Sequence, residues 1–550
     1  MKPFFSAPLS TALLAAYSIT ATANPSVVDS KHNVTYRGIH RNGIEVFLNV
    51  PYGQDTGGEN RFKPPRAYVP ERGSIIHADV FGPACPQVVD DMATISEDCL
   101  NLNIARPSQT SSRDRLPVMV FIYGGGFWFG SNADSSTDGL VLESIQNDLP
   151  IIYVAINYRL GIFGFAQSEA LESEGSENAG IRDQRLALEW VRDNIGQFGG
   201  DPAQVTIFGQ SSGGLGVGLQ IMAYGGTKPV PFHQAICESQ ALEPGITGNF
   251  TSDAMQAVID HVGCEKSSWQ SQGTVDCLRG LDMKSLLSAS VATYNGDVNF
   301  GDIWLPVVDG DFLPAAPSKL IQEHRFAHVK TAMGWCQDDT EAFIDPKVKT
   351  AADTRKFVES YVPTVSSGNM DNLLSLYPSS EFHDNAAAGF SGEFYRTSRI
   401  IRDILMTCQP IYYAQHISAA GNSVYLYDWN QTIRNRPGRG PEHGSELPYV
   451  FGKLNSSDPA PDYKLMQRAS RSWSTFASTG AFSLDGHDTF THFTEAFRVK
   501  DNIDLFVAGG PTEGMSLIDG PEATDAVSTQ QLRERCDFIN SPSMIKEIGY

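Results

Sequence analysis

The stretch FGGDPAQVTIFGQSSGG, residues 198–214, passes from a glycine pair through an apolar β-like segment, 205–208, straight into Gly-x-Ser-x-Gly. Gly209, Ser211 and Gly213 hold the fixed positions of that pattern. It is the sequence form of a nucleophile elbow, a sharp strand-to-helix turn that lifts a serine hydroxyl above the end of a sheet. A backbone forced into so strained a turn needs residues without Cβ atoms on both sides of the serine.

Working outward, residues 118–123 and 151–156 are short, continuous apolar runs rich in β-branched side chains, as buried parallel strands require. Between the second of these and the serine, residues 183–198 place Leu186, Leu188, Trp190, Val191, Ile195 and Phe198 at mostly helical spacing, and Gly199 and Gly200 stop the run. Strand, helix, strand, serine turn and another helix-compatible run predict an α/β protein with a parallel sheet. Further strands are expected at 328–333 and 424–427, with a more helical, loop-rich region between about 250 and 420. No charged or Pro/Gly/Ser-rich linker, repeat or low-complexity tract divides the 550 residues, so one large domain is expected over 24–550.

Residues 1–23 read as a secretory signal: Lys2, an apolar stretch at 9–19, then the small-residue site Ala21-Thr22-Ala23. That stretch is too short to span a bilayer, and no later segment is apolar enough, so an extracellular protein without a stable membrane anchor is expected. The Asn-x-Ser/Thr triplets at Asn33, Asn249, Asn430 and Asn455 agree with export and glycosylation. The 63 acidic against 41 basic residues give a formal charge of −22, which repels nucleic acid and anionic membranes. Eight cysteines in an exported chain imply disulfides. Cys85 with Cys99 and Cys264 with Cys277 could close short loops, and Cys408 with Cys536 could tie down the C-terminal segment, leaving Cys237 and Cys336 free. No Cys-x-x-Cys pair occurs, and His324 with His328 lacks a third ligand nearby, so neither a metal nor another cofactor is expected.

A serine becomes nucleophilic only beside a base that a third group orients, and it needs donors for the oxyanion formed on the attacked carbonyl. Gly124, Gly125 and Gly126 follow an apolar strand and precede Phe127, Trp128 and Phe129, which suits main-chain N–H groups approaching a substrate oxygen. The N–H of Ser212 would complete that hole, and Gly124, Phe127 and Trp128 are the candidate substrate wall. Among twelve histidines, His443 best fits a base in a Gly/Pro-rich loop, but His383, His416, His487 and His492 also lie downstream of the serine. The acid should follow a strand, and GWCQDDTEAF, residues 334–343, supplies Asp338, Asp339 and Glu341 without separating them.

The residues resemble the type-B carboxylesterase/lipase family, which includes cholinesterases and secreted fungal esterases, over nearly all of the mature chain. The likeness is densest in SEDCLNLNI (96–104), FIYGGGFWFGS (121–131), NYRLGIFGF (157–165), NAGIRDQRLALEWVRDNIGQFGGDP (178–202), the serine motif, PVVDGDFLP (306–314) and HGSELPYVFG (443–452). The resemblance implies the α/β-hydrolase fold, a large, mostly parallel central sheet flanked by helices, and a serine ester hydrolase working without a cofactor. It implies Ser211 as nucleophile, His443 as base, Asp339 as acid, Gly125, Gly126 and Ser212 as oxyanion donors, and the three cysteine pairs above. The chain departs from the family pattern at Asp339, where glutamate is usual, at Gln210, where glutamate is common, and at Ser212, where alanine is usual. The short, aromatic-free loop between Cys85 and Cys99 speaks for an open-mouthed esterase of soluble or medium-sized esters. A lipase or sterol esterase, a deacetylase or transesterase of a secreted metabolite, and a catalytically inert binding member are the alternatives.

Overall fold

The structure, a computed structural model, describes residues 24–550 apart from 136, 240–244, 295, 297–300, 433–439 and 500–501. The proposed signal segment therefore lies outside the described residues. An eleven-stranded sheet organises the rest. In spatial order its strands are Gly514–Leu517, Asp504–Ala508, Val424–Trp429, Lys330–Cys336, Gln234–Glu238, Gly200–Gln210, Leu116–Ile122, Ile152–Ile156, Asn101–Pro107, Ile44–Pro51 and Ile39–Arg41. The strands from Asp504–Ala508 to Ile152–Ile156 all run parallel, and antiparallel strands flank them on both sides. This is the α/β-hydrolase fold. A separate three-stranded sheet pairs Ser26–Asp29, Val34–Arg37 and Ile75–His77.

The central strands are buried along their length because helices cover both faces, which is why they read as unbroken apolar runs rather than as alternating ones. The helix expected at 183–198 spans Ala179–Asn194 and tightens into a 3-10 turn, Ile195–Phe198, that Gly199 ends at φ 91°. It begins four residues earlier than expected, its first turn holding the buried Ile181 and Gly180, which packs closely on the Arg159 carbonyl and Phe165. The following strand runs from Gly200 to Gln210, well beyond the apolar core of 205–208. Disulfides join Cys85 to Cys99, Cys264 to Cys277 and Cys408 to Cys536, and Cys237 and Cys336 are free and buried. Asn33, Asn249 and Asn455 are exposed, whereas Asn430 is half-buried. Among the described residues no helix is long and apolar enough to cross a membrane.

Candidate active site

Five neighbouring parallel strands each end at one part of the site. From one side to the other, Val424–Trp429 leads to His443, Lys330–Cys336 to Asp339, and Gln234–Glu238 to Ser239. Gly200–Gln210 then leads to Ser211, and Leu116–Ile122 to Gly124, Gly125 and Gly126. The C-terminal edge of a parallel sheet is where ligands gather in such folds, and residues far apart in sequence meet there because their strands are adjacent.

Ser211 has φ 61° and ψ −132°, a conformation that costs a non-glycine residue about 1–3 kcal/mol. The surroundings hold it there: its N–H donates to the Glu238 carbonyl at 2.9 Å, and its carbonyl accepts from Leu215 N at 3.0 Å. A Cβ on Gly213 would lie 2.1 Å from the Ile122 carbonyl oxygen, and one on Gly209 would lie 2.6 Å from it. The two glycines of the motif therefore let the elbow press against the neighbouring strand.

Of the three candidate acids, Asp339 meets the imidazole. Its Oδ1 lies 2.5 Å from His443 Nδ1, and its Oδ2 accepts from Ser239 Oγ at 2.7 Å and from Cys336 N at 2.9 Å. Asp338 instead accepts from Arg399 at 3.1 Å, and Glu341 accepts from Gly440 N at 2.9 Å. Burial works against the His443 cation, but the Asp339 charge and hydrogen bond, with Glu446 and Asp302 beyond, outweigh it and raise the imidazole pKa above its ordinary value. The Nε2 atom faces Gln210, whose amide nitrogen lies 3.1 Å away.

A cavity of about 490 Å³ opens above these groups, within the usual range for small-molecule sites. Ser211, His443, Gln210, Gly125 and Gly126 line its floor, and Trp128, Phe129, Tyr294, Phe343, Leu405 and Met406 line much of its wall. Gly125 and Gly126 adopt φ values of 109° and 60°. The Gly125 carbonyl accepts from Trp128 N and Phe129 N, so the loop folds back on itself. Among the described residues no backbone acceptor takes the N–H of Gly125 or Gly126.

Two expected wall residues lie elsewhere. Phe127, at φ 57°, turns away from the cavity and is fully buried against Phe165 and Tyr158. Gly124 is pressed under the elbow, where a Cβ would lie 2.4 Å from the Gln210 carbonyl oxygen and 2.8 Å from Ser211 Cβ.

Further contacts of the site are not marked in the sequence. Ser212, besides its N–H, accepts from Phe127 N through its hydroxyl at 3.2 Å and so braces the glycine loop. Below Asp339, the Cys336 thiol donates to Glu446 Oε2 at 3.0 Å, and burial followed by the Asp339 charge pushes the Glu446 pKa up to about 7. Beside it Glu238 accepts from Trp473 Nε1 at 2.6 Å, and burial and the charge of Glu446 raise its pKa well above the usual carboxyl value. Glu238 Oε2 and Glu446 Oε1 have no hydrogen-bond partner among the described residues.

Residues 31–500 match the model of the Carboxylesterase family. A secreted lipase of Arthroderma benhamiae is 54% identical, the match covering 98% of each chain. An inactive carboxylesterase-like protein of Byssochlamys spectabilis is 37% identical, covering 96% of each. Lipase 1 of Geotrichum candidum is 32% identical, covering 80% of this chain and 86% of its own. Among solved structures, Aspergillus niger EstA superposes with a TM-score of 0.80 at 25% identity, covering 96% of this chain and 99% of that one.

Proposed function

The chain belongs to the carboxylesterase family and is a carboxylic ester hydrolase; from that premise we propose that it is an exported enzyme that cleaves soluble or medium-sized esters through an acyl-enzyme on Ser211. The observation that carries this reading is the convergence of Ser211, the Asp339-bound His443 and the glycine-loop amides on one cavity.

His443 Nε2 takes the Ser211 proton as the hydroxyl oxygen attacks the ester carbonyl, and Asp339 stabilises the imidazolium that forms. The N–H groups of Gly125, Gly126 and Ser212 receive the tetrahedral oxyanion. The imidazolium then protonates the departing alcohol. Water, deprotonated by the same nitrogen, releases the acid and restores Ser211. Before substrate enters, Nε2 is engaged by Gln210. The incoming ester must draw Ser211 into that place, a tightening that ligand-free sites commonly await.

Ser211→Ala should lower turnover by roughly a thousandfold or more while leaving the thermal transition in place. Undiminished ester cleavage by that variant would overturn the reading. A lipase reading is favoured by one observation: Val88, Phe129, Val291, Tyr294 and Phe343, all large apolar side chains exposed to solvent, line this cavity. Rates on long-chain emulsions against short soluble esters separate the two. An inert binding member would resist a fluorophosphonate that labels Ser211 in an active one.

A further inference from the structure

Where the glycine loop ends, Gly130 is gripped by one side chain. Gln87 Nε2 donates to the Gly130 carbonyl at 2.9 Å, and the Gly130 N–H donates to Gln87 Oε1 at 2.9 Å. The same Nε2 also donates to the Cys85 carbonyl at 3.2 Å. A carboxamide carries both the donor and the acceptor needed to meet a backbone C=O and N–H together. Gln87 is buried, and it lies in the loop that the buried Cys85–Cys99 disulfide closes. Its neighbour Val88 stands at the cavity mouth. Asn157 ties the same disulfide loop to the adjoining stretch, donating to the Cys99 carbonyl at 3.2 Å and accepting from the Asn132 N–H at 2.8 Å.

This grip reaches the oxyanion donors through few atoms. Gly130, at φ 121°, lies across the start of its own loop, where a Cβ would stand 2.5 Å from Tyr123 Cδ2 and 2.8 Å from the Gly124 carbonyl oxygen. Next to it, Phe129 sends its N–H to the Gly125 carbonyl at 3.2 Å, alongside that of Trp128 at 2.9 Å. A trans peptide points its N–H away from its C=O, so anchoring the Gly125 carbonyl inside the loop turns the Gly126 N–H away from Trp128 and Phe129. A peptide between two glycines meets little steric resistance to rotation, so the contacts of the loop decide which way this one faces. The Ser212 hydroxyl, on the Phe127 N–H, holds one side of the loop, and Gln87 holds its end.

We propose that Gln87 is a positioning residue of the ester hydrolase, fixing the end of the glycine loop so that the Gly125–Gly126 peptide keeps its N–H toward the oxyanion. This deepens the reading above and rests on it. Loss of one oxyanion donor lowers kcat by about a hundredfold to a thousandfold, and a donor displaced rather than removed keeps part of that, so a loss of about tenfold to a hundredfold is expected. The hydrogen bonds of Gln87 go to Gly130 and Cys85 and leave the His443–Asp339 pair alone, so the pH dependence should not move.

The test compares wild type with two variants. Gln87→Met keeps the length of the side chain without either hydrogen bond, and Gln87→Glu keeps an acceptor for the Gly130 N–H but sets a carboxylate against the Gly130 carbonyl. Each breaks the bond to that carbonyl, so either variant suffices. The readouts are kcat and KM for nitrophenyl butyrate, and inhibition by a trifluoromethyl ketone and by the methyl ketone of the same chain. Ser211 Oγ bonds to the trifluoromethyl ketone carbon, its proton passes to His443 Nε2, and the carbonyl oxygen becomes an oxyanion in the hole. The methyl ketone binds as the unreacted ketone. In the variants kcat should fall about tenfold or more with KM changed by less than about threefold, and the trifluoromethyl ketone should weaken by the same factor as kcat. The methyl ketone affinity and the acidic limb of the pH profile should stay as in wild type. Fluorophosphonate titration counts Ser211 sites and rates are expressed per labelled site, so unfolded protein does not enter the comparison. A wild type that takes no label fails as an ester hydrolase, which is distinct from a failure of Gln87. Unchanged kcat and trifluoromethyl ketone affinity in a labelled variant, or equal weakening of both ketones, would overturn the proposal.

Discussion

Beneath His443 the cavity floor is built of buried hydrogen-bonding groups, whereas its mouth is ringed by apolar side chains standing in water. On the floor, Asp339 is wholly buried and is held by His443, Ser239 and Cys336, with Glu446 and Glu238 packed behind it. At the mouth, Val88 is 64% and Phe129 61% exposed. Buried polar groups are costly unless their partners are placed accurately, so the floor admits little variation. Apolar rim residues are constrained by no such geometry. The contrast separates a floor of buried, hydrogen-bonded groups from a rim of exposed apolar side chains.

Removing the acid breaks the floor most severely. Asp339→Asn should lower turnover by roughly ten-thousandfold, because an amide neither fixes the tautomer nor stabilises the imidazolium. The base must be neutral to act, so kcat/KM falls as pH drops through the His443 pKa, which lies above the ordinary histidine value in the wild type. With the charge of Asp339 gone, the residual activity of the variant should fall away at lower pH than in wild type. A pH–rate profile checks both statements.

Gln210→Glu alters the floor without removing a group from it. A carboxylate would then stand where an amide nitrogen now lies 3.1 Å from Nε2, holding the proton on the base. The acidic limb of the profile should move to higher pH, with about a tenfold loss of kcat/KM near pH 6 and a much smaller one near pH 9. Equal losses at both pH values would mean that Gln210 acts by shape alone.

At the mouth the effects should be smaller and selective. Val88→Ser combined with Phe129→Ser should lower kcat/KM for octanoate esters by about fivefold relative to acetate esters, without moving the pH profile. A parallel loss on both esters would place the rim residues in the floor's class.

The smallest expected effect is on stability alone. The raised pKa of Glu238 means that the folded state keeps a proton which the unfolded chain releases above its ordinary carboxyl value of 4.5. Stability therefore declines as pH rises from that value toward the folded pKa, and the full benefit of the carboxyl is present only below it. Glu238→Gln, which keeps an oxygen for Trp473 and needs no proton, should melt a few degrees above wild type near pH 8 and level with it near pH 4. A gain that did not vary with pH would contradict the assignment of a buried neutral acid.

The sheet and the elbow were legible because their signals are local: an apolar run, a glycine stop, a serine between two glycines. The partners of that serine were not. His443 and Asp339 are 104 residues apart, and nothing within either segment records that their strands lie side by side. Family resemblance supplied that pairing, and the arrangement of the strands explains it, since Asp338 turns to Arg399 and Glu341 to Gly440. Phe127 was misplaced because a positive φ reverses the direction its side chain would take in an extended loop, and Gly124 because the serine elbow presses against it. The rim was only partly legible: the loop between Cys85 and Cys99 lacks aromatics, as its sequence shows, and Phe129, Tyr294 and Phe343 bring them from three other segments.

In the proposed mechanism serine, imidazole and glycine-loop amides act on a single carbonyl. A crystal structure of the protein inhibited by a fluorophosphonate tests it most directly. Phosphorus should be bonded to Ser211 Oγ, with the phosphoryl oxygen within hydrogen-bond reach of the Gly125 and Gly126 N–H groups and His443 still bound to Asp339 with Nε2 released from Gln210. An adduct on another residue, or a phosphoryl oxygen turned away from the glycine loop, would contradict it.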